Sequence, residues 1–368
     1  MIKVLFLTNI PSPYRIDFFS KLGELCDLTV LFERRYSSER DDSWKNVELN
    51  NFKGIFMSGI RIGVDKAICF EVIKYLKRGR YDHIIVSNPL TLTGAWSTEY
   101  MRRHGIPFWI EGDGGLPAEM GFIKGAIKRR LLMGAIGYFS TSELHDQYYE
   151  VHGIDKNRIH RYPFTSVFAQ EIAPHVAYYQ EKAELRNKLG IKEKKTIISV
   201  GQIIHRKGFD TLLKAMATLP RSIGLYIVGG KASNDIQLLI DEYRLYNVHI
   251  IDFKRKPELR DFYRMADLFV LATREDIWGL VVNEAMAMGL PIITTTKCVS
   301  GTELVKEGEN GFLFEPEDVN ALSESIRRVL DNCELKKSMG KESLNIIRNY
   351  TIEEMALSHV RILTGDSL

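Results

Sequence analysis

An α/β fold built from two parallel-sheet domains is what this sequence predicts, and three observations predict it. Short apolar runs alternate with longer amphipathic segments in two successive blocks, the pattern of strands and helices wound into open sheets. The opening unit of the first block, strand, loop and helix, is repeated in kind at Thr196–Leu213. At 368 residues the chain exceeds one ordinary core and suits two domains of common size. Domain limits are placed at 1–170 and 171–350, with 351–368 as a terminal helix and the linker around Phe168–Ala177.

In the first block Lys3–Thr8 and Asp27–Phe32 read as strands. Between them Asn9–Arg15, with two prolines, reads as a stiff extended loop opening a helix through Asp17–Leu25. It sits at the carboxyl end of a first strand, where open sheets place ligands, so Tyr14 and Arg15 are candidates on the acceptor side of a site. The polar Glu33–Asp42 reads as a loop, and Cys69–Lys77 and Thr91–His104 as helices around a strand at Asp82–Ser87. Pro107–Glu111 is a strand running into Glu111-Gly-Asp-Gly-Gly115. Glycines there expose acids at the sheet's carboxyl edge, making Asp113 and Glu111 candidates, against the alternative of a solvated turn. The segment 119–134 interleaves Phe122, Ile123, Ala126 and Ile127 with Lys124, Lys128, Arg129 and Arg130. It reads either as a surface helix packed on the sheet or as a peripheral contact with an anionic membrane. Ile136–Ser142, His145–His152 and Arg158–Pro163 complete the block.

The second block begins with the strand Thr196–Val200 and the loop Gly201–Gly208. Arg206 and Lys207 stand there beside a helix opening near Asp210, an arrangement that suits a diphosphate leaving group. Gly224–Gly230, Asn234–Tyr246, His249–Phe253 and Pro257–Ala266 follow as strand, helix, strand and helix. Then comes Thr273–Pro291, TREDIWGLVVNEAMAMGLP, with carboxylates at Asp276 and Glu284 and backbone amides at a helix start that can receive an anion. A carboxylate such as Glu284 can accept two hydrogen bonds from a vicinal diol. A diol, a diphosphate and a sugar are the parts of a nucleotide sugar.

The frames (E/D)xxGLxxxEAMAxGxPII, met by Asp276 to Ile293, and VGxxxxRKGFDxLLxA, met by Val200 to Ala215, resemble the two donor-site motifs of the retaining glycosyltransferase family 4. That resemblance implies a GT-B fold: two Rossmann-like domains facing across a cleft, with the last helix crossing back to the first. It implies transfer of a hexosyl or N-acetylhexosaminyl group from a nucleotide sugar, a UDP-sugar foremost, to a glycan or lipid-linked acceptor in cell-surface polysaccharide synthesis. It also assigns residues. Glu284 would hold the ribose and Asp276 the transferred sugar. The amides of Ile277, Trp278, Gly279 and Leu280, with Gly201, Gln202 and Gly230, would line the donor, and Phe253 and Lys254 would lie along the base. Lys207, Arg206, Asp276 and Asp113 would serve catalysis, and no essential metal or other cofactor is implied. Two departures stand out: Asp276 replaces the usual Glu, and Gln202 replaces the usual Arg after the glycine. A nucleotide-sugar 2-epimerase and a non-catalytic binding homologue are the alternatives.

Composition narrows the rest. A formal charge of +3 and the absence of a basic tract rich in aromatics argue against nucleic acid. Cys26, Cys69, Cys298 and Cys333 form no CxxC pair, which fits reduced thiols of the cytoplasm. Met1–Thr8 reads as a strand and not a signal peptide, and no stretch reaches the ~20 apolar residues of a membrane span. Neither G-x-G-x-x-G nor GxxxxGK[ST] occurs in a phosphate-binding context.

Overall fold

The computed structural model describes residues 1–35, 48–62, 66–77, 79–117 and 121–365. The expected loop Glu33–Asp42 therefore lies largely outside the described residues, as do the first two positions of the basic segment 119–134. The chain divides into two compact units, Met1–Ser166 with Thr351–Leu368, and Val167–Tyr350.

Among the described residues nine strands belong to the first unit: β1 (Lys3–Thr8), β2 (Asp27–Phe32), β3 (Lys53–Phe56), β4 (Ile60–Ile62), β5 (Lys66–Ile68), β6 (His83–Val86), β7 (Trp109–Glu111), β8 (Gly137–Ser140) and β9 (Ile159–Arg161). Seven form one sheet in the order β3-β2-β1-β6-β7-β8-β9, every pair parallel, while β4 and β5 make a separate antiparallel hairpin. The inner strands are apolar on both faces because helices cover both, as all-parallel sheets require. The helix Ile352–Thr364, capped by the Thr351 hydroxyl, belongs to this unit and packs on the first helix, Pro13–Leu22. Its buried His359 ring stacks on Phe139 and leans on Phe18.

In the second unit six strands, β10 (Lys195–Val200), β11 (Ile223–Val228), β12 (Val248–Ile251), β13 (Leu268–Leu271), β14 (Ile292–Thr295) and β15 (Gly311–Phe314), form a second all-parallel sheet. Its order is β12-β11-β10-β13-β14-β15. The order reverses between β10 and β13, the place where open sheets leave room for a ligand at their carboxyl edge. The predicted fold class, α/β with two Rossmann-like parallel-sheet domains, is the one observed.

Two local expectations fail for identifiable reasons. Pro13 starts the first helix instead of prolonging an extended loop, because a proline is tolerated at the first helical position, where no amide bond is lost. Tyr14 and Arg15 thus sit in a helical turn. The helix expected at Cys69–Lys77 is replaced by a short 3-10 helix at Phe70–Lys74, directly after β5 and Cys69. The Cys69 amide is held in extended geometry by the Thr93 hydroxyl, at 3.2 Å, so helical winding starts only after it.

Candidate functional site

The predicted donor residues of the second unit all follow carboxyl ends of strands. After β10 the chain makes a 3-10 turn at His205–Lys207 and enters the helix Phe209–Ala217 through Gly208. Gly208 has φ +64°, and a Cβ there would lie 1.8 Å from the Ala272 carbonyl oxygen, so only glycine lets this turn press against the loop after β13. That loop is then sewn to the turn. The Arg274 amide and the Thr273 hydroxyl both donate to the Arg206 carbonyl, at 2.8 and 2.9 Å. The Arg274 guanidinium donates to the His205 carbonyl at 2.6 Å, grips both oxygens of Asp210 at 2.9 and 2.7 Å, and reaches Glu317 at 2.7 Å. Burial works against ionised Asp210, but the bonds and charge of Arg274 outweigh it and hold its carboxyl below the usual range. Arg274 is thus the brace between the two motifs. Sequence reading passed over it, although the Asp of KGFD and the Arg of TREDIWG were both in view.

Inside this frame Lys207 Nζ donates to Asp276 Oδ2, and Arg206 Nη1 stands 3.4 Å from Asp276 Oδ1 while donating to the Glu275 carbonyl. The Lys207 and Asp276 side chains are largely but not wholly shielded, and Arg206 is open to water. From behind, the Asp276 amide donates to the Lys297 carbonyl, and Ser300 donates through its amide to Trp278 and through its hydroxyl to Gly279. Gly279, at φ +94°, then starts the helix Leu280–Ala287. Glu284 lies in its second turn, half-buried, and accepts a 3.1 Å hydrogen bond from the buried Tyr263 hydroxyl. Burial, then the Glu284 charge, pushes the Tyr263 hydroxyl far above its usual range, so it stays a donor.

Among the other predicted donor residues, Gln202, Phe253 and Ile277 are exposed, and Gly201 and Gly230 mark the turns after β10 and β11. Lys254 stands 3.5 Å from Glu258. The Trp278 ring is buried and its Nε1 donates to Asn283 Oδ1 at 2.8 Å, so that side chain braces the helix and leaves only its backbone for a ligand.

The predicted acceptor-side residues meet in the first unit, but most of them face inward. Arg15 Nη1 donates to both oxygens of Glu111, at 2.9 and 3.1 Å. Glu111 also accepts from the Tyr162 hydroxyl at 3.0 Å and faces His359 Nε2 at 3.3 Å. With Glu111 fully buried and Arg15 at 3% exposure, the expectation that these two touch an acceptor is corrected: they close the unit around its last helix. Burial opposes the Glu111 charge, yet Arg15 and His359 outweigh it and hold the carboxyl at about 2. Asp113 remains accessible, its side chain 43% exposed, while Arg15 Nη2 and the Tyr14 hydroxyl donate to its two oxygens. Tyr14 is an orienting contact for Asp113. On the basic helix, described as Phe122–Leu132, Arg130 pairs with Glu99 and Lys128 lies over the Tyr148 ring. Those two cations are engaged within the unit and Ile127 is exposed, whereas the packed reading expects the apolar side on the sheet and the cations in water.

Among the described residues no group of three or more His, Cys, Asp or Glu is placed to hold a metal ion, and no helix is long and apolar enough to cross a membrane. Comparison with known proteins bears on the second unit. Residues 181–345 match the family model described as glycosyl transferases group 1. An uncharacterized glycosyltransferase of Haemophilus influenzae is 32% identical over 175 residues, 46% of this chain and 49% of that protein. The lipopolysaccharide glucosyltransferase WaaG of Escherichia coli is 26% identical over 186 residues, 49% of each. The chain spans about half the length of the curated relatives it matches. Among solved structures, Anabaena HepE in complex with UDP is similar in fold, with TM-score 0.81 at 17% identity over 99% of this chain and 100% of that one.

Proposed function

We propose that this chain is a cytoplasmic retaining glycosyltransferase of family 4, moving a hexosyl or N-acetylhexosaminyl group from a nucleotide sugar, a UDP-sugar foremost, to a glycan or lipid-linked acceptor of a surface polysaccharide. One observation carries the reading. The two motifs that suit a diphosphate and a sugar, far apart in sequence, are stitched together at one sheet edge, with Arg206, Lys207 and Asp276 in mutual contact. The match of residues 181–345 to group 1 glycosyl transferases and the fold likeness to a UDP complex support it.

In this reading Asp276 holds the cations in place until a donor arrives. The diphosphate then takes Lys207 and Arg206, and the freed carboxylate accepts a hydroxyl of the sugar. Glu284 accepts the ribose hydroxyls and the amides opening the helix Leu280–Ala287 face the anion. As the bond from the anomeric carbon to the phosphate oxygen breaks, Lys207 and Arg206 meet the charge growing on the leaving group, which is the job a metal does in other transferases. The acceptor oxygen bonds to the anomeric carbon on the same face and its proton passes to the departing phosphate. Asp113 is the first unit's candidate for orienting that acceptor.

Thermal-shift screening against UDP-, GDP- and ADP-sugars tests the donor. Saturating ligand at ~100 times its Kd adds about 2.7 kcal/mol of stability, a shift of several degrees. One nucleotide class standing clear of the others names the donor, and no shift with any of them overturns the reading.

A further inference from the structure

We propose that the second unit carries another anion site, for a phosphate-bearing ligand, at the amino edge of its sheet, the edge opposite to the loops of Lys207 and Asp276. A cavity of about 700 Å³ opens there between Pro174–Tyr178, the starts of β13 and β14, and the helix Cys333–Ile347. That volume is within the range of small-molecule sites.

Its charge is unbalanced in two layers. At the floor the buried Asp267 is shared by three cations: Lys182 and Lys336 donate to Oδ1, each at 3.1 Å, and Arg186 to Oδ2 at 2.8 Å. Arg186 and Lys182 have a structural reason to be there, since they also donate to the Met265 and Ala266 carbonyls where the helix Lys256–Met265 ends. Lys336 has no carbonyl of that kind and adds a further positive charge to a carboxylate already matched. In the wall, Lys337, Lys341 and Arg348 recur at helical spacing on one face and line the same cavity. Among the described residues none of these three has an ion-pair partner. Like charges one turn apart repel. A phosphate relieves that repulsion, because its oxygens accept from several ammonium groups at once. Tyr178 and Tyr179 line the cavity with exposed rings, a surface for a sugar or base carried on that phosphate.

This site is independent of the donor reading, and the test keeps the two apart. Inorganic pyrophosphate is titrated calorimetrically into full-length Lys207→Ala protein, in which the donor loop is weakened, and into the same protein with Lys337→Ala, Lys341→Ala and Arg348→Ala added. All three side chains are exposed, so the fold should stand. The combined variant is expected to bind about tenfold more weakly or worse, a loss of about 1.4 kcal/mol. Identical isotherms overturn the proposal. Cosedimentation with phosphatidic acid vesicles, lost in the triple variant, assigns the phosphate to a lipid headgroup; pyrophosphate binding without cosedimentation assigns it to a free phosphorylated molecule. UDP affinity of the triple variant alone should be unchanged, and an equal loss there also sinks the idea.

Discussion

Each unit gathers an arginine or lysine and two acids at the carboxyl edge of a parallel sheet, yet the two clusters have opposite fates. In the first unit Arg15 and Glu111 are enclosed, and the last helix closes over them with His359 at 3.3 Å from Glu111. In the second, Lys207 and Asp276 are mostly shielded but reach a rim beside an exposed Arg206 and a half-buried Glu284. Residue types and edge position do not decide whether charges bind a ligand or hold the fold. What decides is whether a later element covers them. A paired buried ion is fixed by the cost of stripping it of partners, whereas a pair at a rim can exchange one partner for a phosphate.

The sharpest break of the comparison removes the rim charges. Lys207→Ala should lower turnover by about 10²–10³-fold, the loss of one donor aimed at developing charge, with a smaller change in donor KM. Glu284→Ala should do the reverse, raising donor KM at similar turnover. Steady-state kinetics with the donor identified by thermal shift read both, and unchanged kinetics in both variants would remove the assigned roles.

The same contrast explains how much could be read in advance. The sheets were legible because a buried parallel strand is an unbroken apolar run; Lys3–Thr8 and Asp27–Phe32 are placed to the residue. The motifs were legible because their spacing is local. What escaped was pairing over long separations. Nothing in the local pattern says that Lys207 meets Asp276, that Arg274 grips Asp210, or that a histidine 248 positions away contacts Glu111. The helix at Val299–Leu304 escaped because it is six residues long, too short to show a period, and is held by Ser300 to the loop ahead of it.

Breaking the enclosed cluster should cost stability first. Glu111→Gln leaves Arg15 buried beside a neutral amide, and removing one partner of a buried pair costs about 3 kcal/mol or more. Its pH dependence has a definite sign. The folded carboxyl sits at about 2, below its ordinary 4.5, so its contribution is complete above about pH 4.5 and is lost as acid takes the solution towards pH 2. Urea unfolding of the wild type should weaken across that window more steeply than that of the variant. A variant as stable as wild type at pH 7 would show that the cluster contributes little to holding the first unit together.

The smallest change tests whether the rim cluster has a rigid support of its own. The Tyr263 hydroxyl is buried and donates to Glu284 at 3.1 Å, so Tyr263→Phe keeps the packing and removes that one hydrogen bond. One hydrogen bond to a charged group is worth about 1.5–3 kcal/mol, but Glu284 can turn to water, which brings the expected loss nearer to about 1 kcal/mol. The effect should fall on nucleotide affinity, a fewfold rise in Kd for UDP. It should be smaller for 2′,3′-dideoxy-UDP, which has no ribose hydroxyl for Glu284 to accept from, and turnover at saturating donor should be unchanged. An equal loss for both nucleotides would mean that the tyrosine supports the helix in general and not the grip on the diol. Full wild-type affinity would mean that the tyrosine hydroxyl does not position Glu284.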